Sequence, residues 1–505
     1  MPNEKGIHVN SEIGRLRRLI IHSPDGGIGK VVPGKFKEWL YDDTVQLSQM
    51  RREYNEYVKL LLYFLDPEKI AYINDFEKKQ THKKQADCFK PGHKDYFNSE
   101  HVIDVQFLLS KVLEEDAVRQ RILSAVCAWE GCSFATERRL ESIDNSHELA
   151  KALITGWLYS NDSSASEFIF PPLPNFVFTR DIGIVLNDHL LLSNAATAAR
   201  ERETLLMKFI SFNKLFRNDH EKLIEISESS DFFLLSEEEQ RAYKTSVEGG
   251  DVMMIAPNHL VIGYSERTTP SAIDEIIHLI YKINTTGIEK ITVVKIPRQR
   301  AVMHIDTVFT QVRKDTWVLY GKFSERVKKH KNEKQFPYYN HLLDKKADED
   351  DNVEILRYHK PVAEQYQAGK NYRENINDKI HGLESLLRNI SIEDFGVHEN
   401  EVKIIYSGDN IFPFDEREQW TDSCNLLALK NGVVVGYDRN EETFKAFEAK
   451  GFSIIKAREL FEKFDKKELT PDDVQDTLIV LPSAELSRAR GGAHCMSMPL
   501  LRDNI

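Results

Sequence analysis

The residues of this chain best suited to chemistry lie near its C-terminus, in Ser487-Arg488-Ala489-Arg490-Gly491-Gly492-Ala493-His494-Cys495. A cysteine set behind two glycines and two arginines reads as a placed nucleophile. Glycines let backbone approach a ligand closely, and arginine forks recognise carboxylates. A lone cysteine in a Gly-rich turn is more often a buried thiol, so the reading depends on partners elsewhere. Three segments offer them. Asn175-Phe176-Val177-Phe178-Thr179-Arg180-Asp181 ends on an acid, and Glu248-Gly249-Gly250-Asp251 places two acids around a glycine pair. Met303-His304-Ile305-Asp306 sets a histidine and an acid on one face of extended chain. Taken singly these are a turn cap, a plain turn and a hydrogen-bonded core histidine.

Taken together they fit one reaction. A cysteine nucleophile needs an imidazole to supply and accept protons, which His304 provides, and His304 needs an orienting acid, for which Glu248 is the candidate. Asp181 and Asp306 are then surplus. Two anions beside a thiol oppose its ionisation unless the ligand is a cation. A guanidinium is planar, permanently charged and rich in N–H donors, so two carboxylates can grip its edges while its carbon faces Cys495. Attack there gives a tetrahedral adduct, loss of ammonia leaves a thiouronium-type intermediate, and water releases a urea group. Arg267, Arg490 and Arg200 are candidates for clamping an α-carboxylate, which selects a free amino acid over a peptide. No conventional zinc spacing is present.

Elements that could position these groups recur along the chain. Asp181–Leu192, Asp251–Gly263 and Asn425–Tyr437 each read as two short apolar strands joined by a tight turn, the last around Asn431-Gly432, and 307–320 is a looser copy. Helical stretches follow from Glu203, over Ser271–Ile283, from Arg326 and over Glu441–Lys450, and two lead into strands at Lys290–Ile296 and Phe452–Ile455. One such ββαβ unit cannot bury both faces of its sheet, so the repeats predict an α/β fold with units set around a centre, a propeller-like ring. Asp181, Asp251, Asp306 and Asn425 open equivalent strands and would converge near the axis. Residues 106–159 have helical periodicity throughout and predict an all-helical insertion. The catalytic propeller domain then comprises 1–105 and 160–505. Charged stretches at 77–84 and 344–354 read as solvated loops.

Composition bounds the rest. With 505 residues the chain can bury a large core. Its 68 basic and 80 acidic residues give a net charge of −12, which argues against nucleic acid as a partner. Five cysteines without metal-ligand spacing suit a reducing compartment. With no apolar leader and no long apolar run, the expectation is a cytoplasmic protein with no membrane association. Assembly with further copies of itself is left open.

FTRD at 178–181, ARERET at 199–204, EGGD at 248–251, SERTTP at 265–270, MHIDTVF at 303–309, YDRN at 437–440 and RARGGAHCMSMP at 488–499 closely resemble the arginine deiminase family, within the guanidino-group-modifying or pentein superfamily. Order and spacing match from Ser11-Glu12-Ile13-Gly14 to the C-terminal cysteine, over nearly the whole chain. The resemblance implies a five-bladed ββαβ propeller with an inserted helical domain. It implies Cys495 as nucleophile, His304 as general acid/base with Glu248 as partner, and Asp181 and Asp306 around the guanidinium. Arg267, Arg490 and Arg200 would lie near the substrate carboxylate, with Asn175, Phe178, Asp251 and Leu40 (in the LYDD segment) completing the substrate site. No metal or organic cofactor is expected.

Two departures stand out. The family commonly has proline after FTRD, where this chain has Ile182, and the chain carries extra length around 77–96, 211–243 and 324–400. The expected activity is hydrolysis of L-arginine to L-citrulline and ammonia. An amidinotransferase, passing the amidino group to an amine, and a dihydrolase, cutting twice to ornithine, are alternatives on the same core. A non-catalytic arginine-binding protein is the rival from another class, and the intact set of Cys495, His304, Glu248, Asp181 and Asp306 speaks against it.

Overall fold

The computed structural model describes residues 6–79, 87–158, 167–227, 232–236, 238–240, 244–327, 353–361, 373–375 and 380–505. Its strands are, in chain order, β1 (Leu16–Ile21), β2 (Val102–Asp104), β3 (Trp157–Leu158), β4 (Glu167–Phe168), β5 (Gly183–Leu186), β6 (His189–Leu192) and β7 (Leu223–Glu225). They continue with β8 (Val252–Ala256), β9 (His259–Tyr264), β10 (Lys290–Lys295), β11 (Phe309–Arg313), β12 (Thr316–Leu319), β13 (Glu354–His359) and β14 (Arg373–Asn375). The last are β15 (Lys403–Tyr406), β16 (Leu427–Lys430), β17 (Val433–Tyr437), β18 (Ser453–Lys456), β19 (Thr477–Leu481) and β20 (Met498–Arg502).

The hairpins β5–β6, β8–β9, β11–β12 and β16–β17 are antiparallel. Each turns through two residues, the length whose twist matches flanking strands when the turn takes positive φ. Asn187 (φ 51°) and Gly432 (φ 80°) supply that conformation in the first and last hairpins. In every case a third strand lies parallel to the second: β7 on β6, β10 on β9, β15 on β12 and β19 on β17. A fifth sheet of the same pattern is built from the two ends of the chain, with β20 antiparallel to β1 and β2 parallel to it. Among the described residues the fold is thus mixed α/β, with five sheets of one local topology and a separate two-stranded β3–β4 pair.

One strand differs from expectation. The stretch at 452–455 forms β18, but it pairs on the outer side of β19, and β19 takes the third position beside β17. The reason is burial on both faces. β19 (Thr-Leu-Ile-Val-Leu) is buried along its whole length, whereas β18 exposes its first and last residues. A central parallel strand needs an uninterrupted apolar run. The helix expected from Arg326 reaches the limit of the described residues at 327. Within the same insertion β13 and β14 extend the second sheet, and the helix Leu383–Phe395 precedes β15.

Four helices occupy 105–155: Val105–Val112, Asp116–Trp129, Phe134–Glu141 and Ser146–Thr155. Asp104, Ser133 and Asn145 cap three of them by accepting backbone N–H groups. Their apolar faces share one core with β5, β6 and the helix Glu201–Ile210, and Ile182 is buried in it. The charged stretches at 77–84 and 344–354 lie largely outside the described residues. Among the described residues no helix is long and apolar enough to cross a membrane.

Candidate active site

The groups singled out by their chemistry sit where strands begin. Asp181 lies in the 3-10 turn Thr179–Ile182 ahead of β5, Asp251 in the turn Gly249–Asp251 ahead of β8, and Asp306 in Ile305–Thr307 just before β11. Asn425 and Cys495 precede β16 and β20. A closed circuit of hydrogen bonds ties these openings together. The Gly250 N–H donates to Asp181 Oδ1 (3.1 Å), the Ile305 N–H to Asp251 Oδ1 (3.0 Å), and Asn425 Nδ2 to the Asp306 carbonyl (3.2 Å). The Cys495 N–H donates to Asn425 Oδ1 (3.0 Å), and the Arg180 N–H to the Cys495 carbonyl (3.0 Å). All five sheets take part.

The glycine pair is required by close approach. A Cβ on Gly249 would sit 2.0 Å from the Arg180 carbonyl oxygen, and one on Gly250 would sit 2.5 Å from His304 Nδ1. Only hydrogen lets the backbone pass between the first sheet's opening and the imidazole.

A narrow cavity opens between these turns. Leu40, Asn175, Phe178, Asp181, Arg200, Glu248, Arg267, His304, Arg490 and Cys495 line it, ten of the twelve residues singled out in the sequence. Asp251 and Asp306 are not among its lining residues, although Asp306 stands directly against the lining residue Cys495. Asp251 is fully engaged, with Oδ1 bonded to Ile305 N and Oδ2 accepting from Ser265 Oγ (2.5 Å) and Thr268 Oγ1 (2.7 Å). Asp306 turns Oδ2 toward Cys495 Sγ (3.4 Å), while its buried Oδ1 has no partner among the described residues. A roomier hollow between 23–26, the helix Leu47–Leu65 and the helix Ser146–Thr155 contains none of these groups.

Charge is densely packed here. His304 Nε2 donates to Glu248 Oε2 (3.0 Å), and Nδ1 lies 3.9 Å from Asp181 Oδ1. Burial opposes its protonation, yet Asp181 and the Glu248 bond raise its pKa to about 10. Glu248 is itself held well below the ordinary carboxylate range: burial works against this, and Arg267, His304 and Arg200 overcome it. Cys495 moves the other way. Burial, with Asp306, Asp181 and Asp422 adding repulsion, lifts its thiol well above the usual value. At neutral pH the site therefore holds an imidazolium and a neutral thiol.

Arg200 is committed to the protein. Its guanidinium donates to Asp181 Oδ2 (2.6 Å) and Glu203 Oε2 (2.9 Å) and reaches the carbonyls of Asn175 and Phe178. Arg267 and Arg490 are less engaged, Arg267 making long ion pairs from Nη1 to Glu248 Oε1 and from Nε to Glu266 Oε1, both 3.9 Å. Both are buried, and Nε and Nη1 of each lack hydrogen-bond partners among the described residues. Arg490, at φ 61°, stacks its guanidinium 3.4 Å from the ring centroid of Trp420. Leu40, at φ 63°, brings its carbonyl to Arg300 Nη2 (2.6 Å), and Asn175 Nδ2 donates to the neighbouring Trp39 carbonyl (2.9 Å).

Sequence reasoning passed over three participants. His494 sits between two carboxylates, Nδ1 on Asp306 Oδ2 (2.9 Å) and Nε2 on Glu12 Oε2 (3.2 Å), and Glu12 also accepts from Arg180 Nη2 (2.6 Å). Two carboxylate partners require both ring nitrogens to donate, so His494 is an imidazolium. Asp422, buried on the cavity wall, accepts the Gly491 N–H at Oδ2 (3.0 Å). The adjacency of His494 to Cys495 and the place of Glu12 in the Ser11-Glu12-Ile13-Gly14 motif were usable signals; Asp422 carried none. Asp181, Glu248 and His304 stand close enough to hold a metal ion, but the Arg200 guanidinium already supplies positive charge 2.6 Å from Asp181 and 3.6 Å from Glu248.

A buried thiol, an imidazolium and several carboxylates at the strand openings of a mixed α/β frame define a site suited to a cationic, nitrogen-rich substrate. The arginine deiminase family profile matches residues 138–502, and the chain belongs to that family. It is accordingly an enzyme, a hydrolase acting on the guanidino group of arginine. An arginine deiminase of Borrelia garinii subsp. bavariensis is 26% identical over 510 residues, covering 99% of this chain and 98% of its own. Among solved structures, an amidinotransferase of saxitoxin biosynthesis from Microseira wollei is 11% identical with a TM-score of 0.46, covering 99% of this chain and 98% of its own. A dimethylarginine dimethylaminohydrolase is 12% identical with a TM-score of 0.39, covering 96% and 99%.

Proposed function

We propose that this enzyme hydrolyses free L-arginine to L-citrulline and ammonia through a covalent amidino adduct on Cys495. The observation that carries the reading is the geometry of the site: Asp306 sets Oδ2 3.4 Å from Cys495 Sγ and keeps a buried Oδ1 without a hydrogen bond among the described residues, while His304 is bonded to Glu248 at 3.0 Å. A guanidinium cation between Cys495 and His304 supplies the missing donors and the missing charge.

As the cation enters, repulsion on the thiol is relieved and its proton leaves to solvent. Sγ attacks the guanidinium carbon, with Asp306 and Asp181 holding the nitrogens. His304 gives its proton to the departing nitrogen, which leaves as ammonia. The imidazole, now neutral, takes a proton from the water that adds to the amidino carbon. The C–S bond then breaks, the new hydroxyl gives its proton back to sulfur, and the ureido product is free. Arg267 and Arg490 offer the α-carboxylate N–H donors that make no hydrogen bond among the described residues. Arg200, Asp251 and the His494–Glu12 pair act through the groups they hold.

The five sheets of one topology, joined by a closed circuit of hydrogen bonds, support a propeller of five ββαβ units with Cys495 near its centre. On this reading residues 106–159 are a helical insertion and the remainder is the catalytic domain. The test is product analysis with guanidino-labelled arginine. Citrulline with equimolar ammonia, abolished by Cys495→Ala in a folded protein, is the expected result. Ornithine with two ammonia, or turnover only with an added amine acceptor, overturns it.

A further inference from the structure

Two thiols away from the catalytic centre are brought together by the way one helix ends. The helix Asp116–Trp129 stops in a Schellman turn. Gly131 takes φ 63°, its N–H reaches the Ala128 carbonyl (3.4 Å), and the Cys132 N–H donates to the Cys127 carbonyl (2.8 Å). Cys127 and Cys132 thereby occupy the two positions whose side chains meet across such a turn. The 2.8 Å bond keeps their Cα atoms within about 6.7 Å of each other, inside the roughly 7 Å that a disulfide can bridge. Both side chains face one core: Cys127 is buried in it, and Cys132 packs against it while staying partly exposed. The Cys127 thiol donates a hydrogen bond to the Cys132 sulfur.

Cys88, Cys127, Cys424 and Cys495 are buried, which leaves Cys132 the most accessible thiol of the five. Burial raises its pKa, but the bond from Cys127 and the charge of Arg202 pull the other way, so Cys132 is the attacking member of the pair. We propose that Cys127 and Cys132 form an oxidisable dithiol site, which hydrogen peroxide closes to an intramolecular disulfide. The Cys132 thiolate attacks one peroxide oxygen, the O–O bond breaks, and the displaced hydroxide takes up the thiol's proton as water, leaving a sulfenic acid. The Cys127 sulfur then attacks the Cys132 sulfur, and its proton leaves with the sulfenic hydroxyl as a second water. Two electrons pass from the thiols to the peroxide. Glu130 lies between the two cysteines, and its carboxylate binds the buried Arg202 in the helix Glu201–Ile210. Closing the ring therefore stiffens the turn through which the helices of 105–155 hold that helix.

The test treats the folded, full-length protein with hydrogen peroxide, then quenches it in acid, alkylates it and digests it with trypsin. Both cysteines fall in one tryptic peptide, 122–138. That peptide is expected to lose two hydrogens, to carry no alkyl group, and to accept two alkyl groups once reduced. Cys127→Ser should stop at a sulfenic acid on Cys132, trapped by dimedone. Hydrogen exchange across 127–132 should slow by about tenfold or more in the oxidised wild type and stay unchanged in peroxide-treated Cys127→Ser. A wild-type peptide that stays alkylatable at both cysteines, one that gains oxygen without closing, or a disulfide joining two chains overturns the proposal. A closed peptide with unchanged exchange overturns the stiffening of the turn.

Discussion

Gly250→Ala isolates the link between backbone packing and acid–base chemistry. The φ of Gly250 lies outside the positive region, so alanine brings no backbone strain there, and the entire effect is contact. The new methyl would lie 2.5 Å from His304 Nδ1, 2.7 Å from Cγ and 3.0 Å from Cβ, where ordinary contact begins at 3.4 Å. The ring must therefore retreat by roughly 0.9 Å, the shortfall at Nδ1, if alanine is to reach ordinary van der Waals contact. A displacement of that size, directed away from Glu248, would take the 3.0 Å bond beyond hydrogen-bonding range. Overpacking of this kind costs about 1–3 kcal/mol of stability. Misplacing a catalytic group by about 1 Å costs about 100-fold in rate. The assay is citrulline release under saturating arginine, paired with a thermal melt to show that the protein folds. Alanine at Gly34, where a Cβ meets nothing within 4 Å, is the control. A folded Gly250→Ala protein with kcat within about threefold of wild type would refute the argument that this close approach holds His304 in place.

Three further outcomes are expected. Alkylation of Cys495 by a neutral reagent, followed on its own peptide, should be slow at pH 7 and quicken as pH rises, because burial and three carboxylates keep the thiol protonated; fast, pH-independent labelling would mean a thiolate already present. Arg267→Ala should raise KM far more for arginine than for agmatine, which lacks the carboxylate, and equal increases would remove Arg267 from the clamp. Trp420→Ala removes the ring under the Arg490 guanidinium, an interaction worth about 0.5–2 kcal/mol, so KM for arginine should rise by about 2- to 30-fold. Trp420→Phe should recover much of it, and an unchanged KM in the alanine variant would separate the stacking from substrate binding.

What could be read from sequence follows the range of the physics. The four hairpins were legible because a two-residue turn and alternating apolar runs are local signals, as at Asn431-Gly432. Of the third strands β10 was legible, at Lys290–Ile296, and the others were not. β7 has three residues, β15 follows a long insertion, and β19 is separated from β17 by a helix, β18 and a second helix, so nothing nearby marks their pairing. The fifth sheet joins β20 to β1, a contact that no window along the chain contains. Chemistry at strand openings was legible for the same local reason, since Glu248-Gly249-Gly250-Asp251 and Met303-His304-Ile305-Asp306 are short motifs. The division of labour among the acids was not. Asp251 and Asp306 look alike in sequence, yet one has both oxygens engaged and the other keeps an oxygen without a partner.

The pairing of His494 with Glu12 spans 482 residues, and that of Arg180 with Glu12 spans 168. The nucleophile is thus locked into place by contacts about as non-local as this chain permits. Loop-closure entropy opposes such contacts until the intervening structure has formed. Catalytic competence should therefore report closure of the whole molecule and not the ordering of any one sheet. During denaturant unfolding, activity should vanish at or before the first loss of secondary structure. During refolding it should return last, after the helices and hairpins have already recovered.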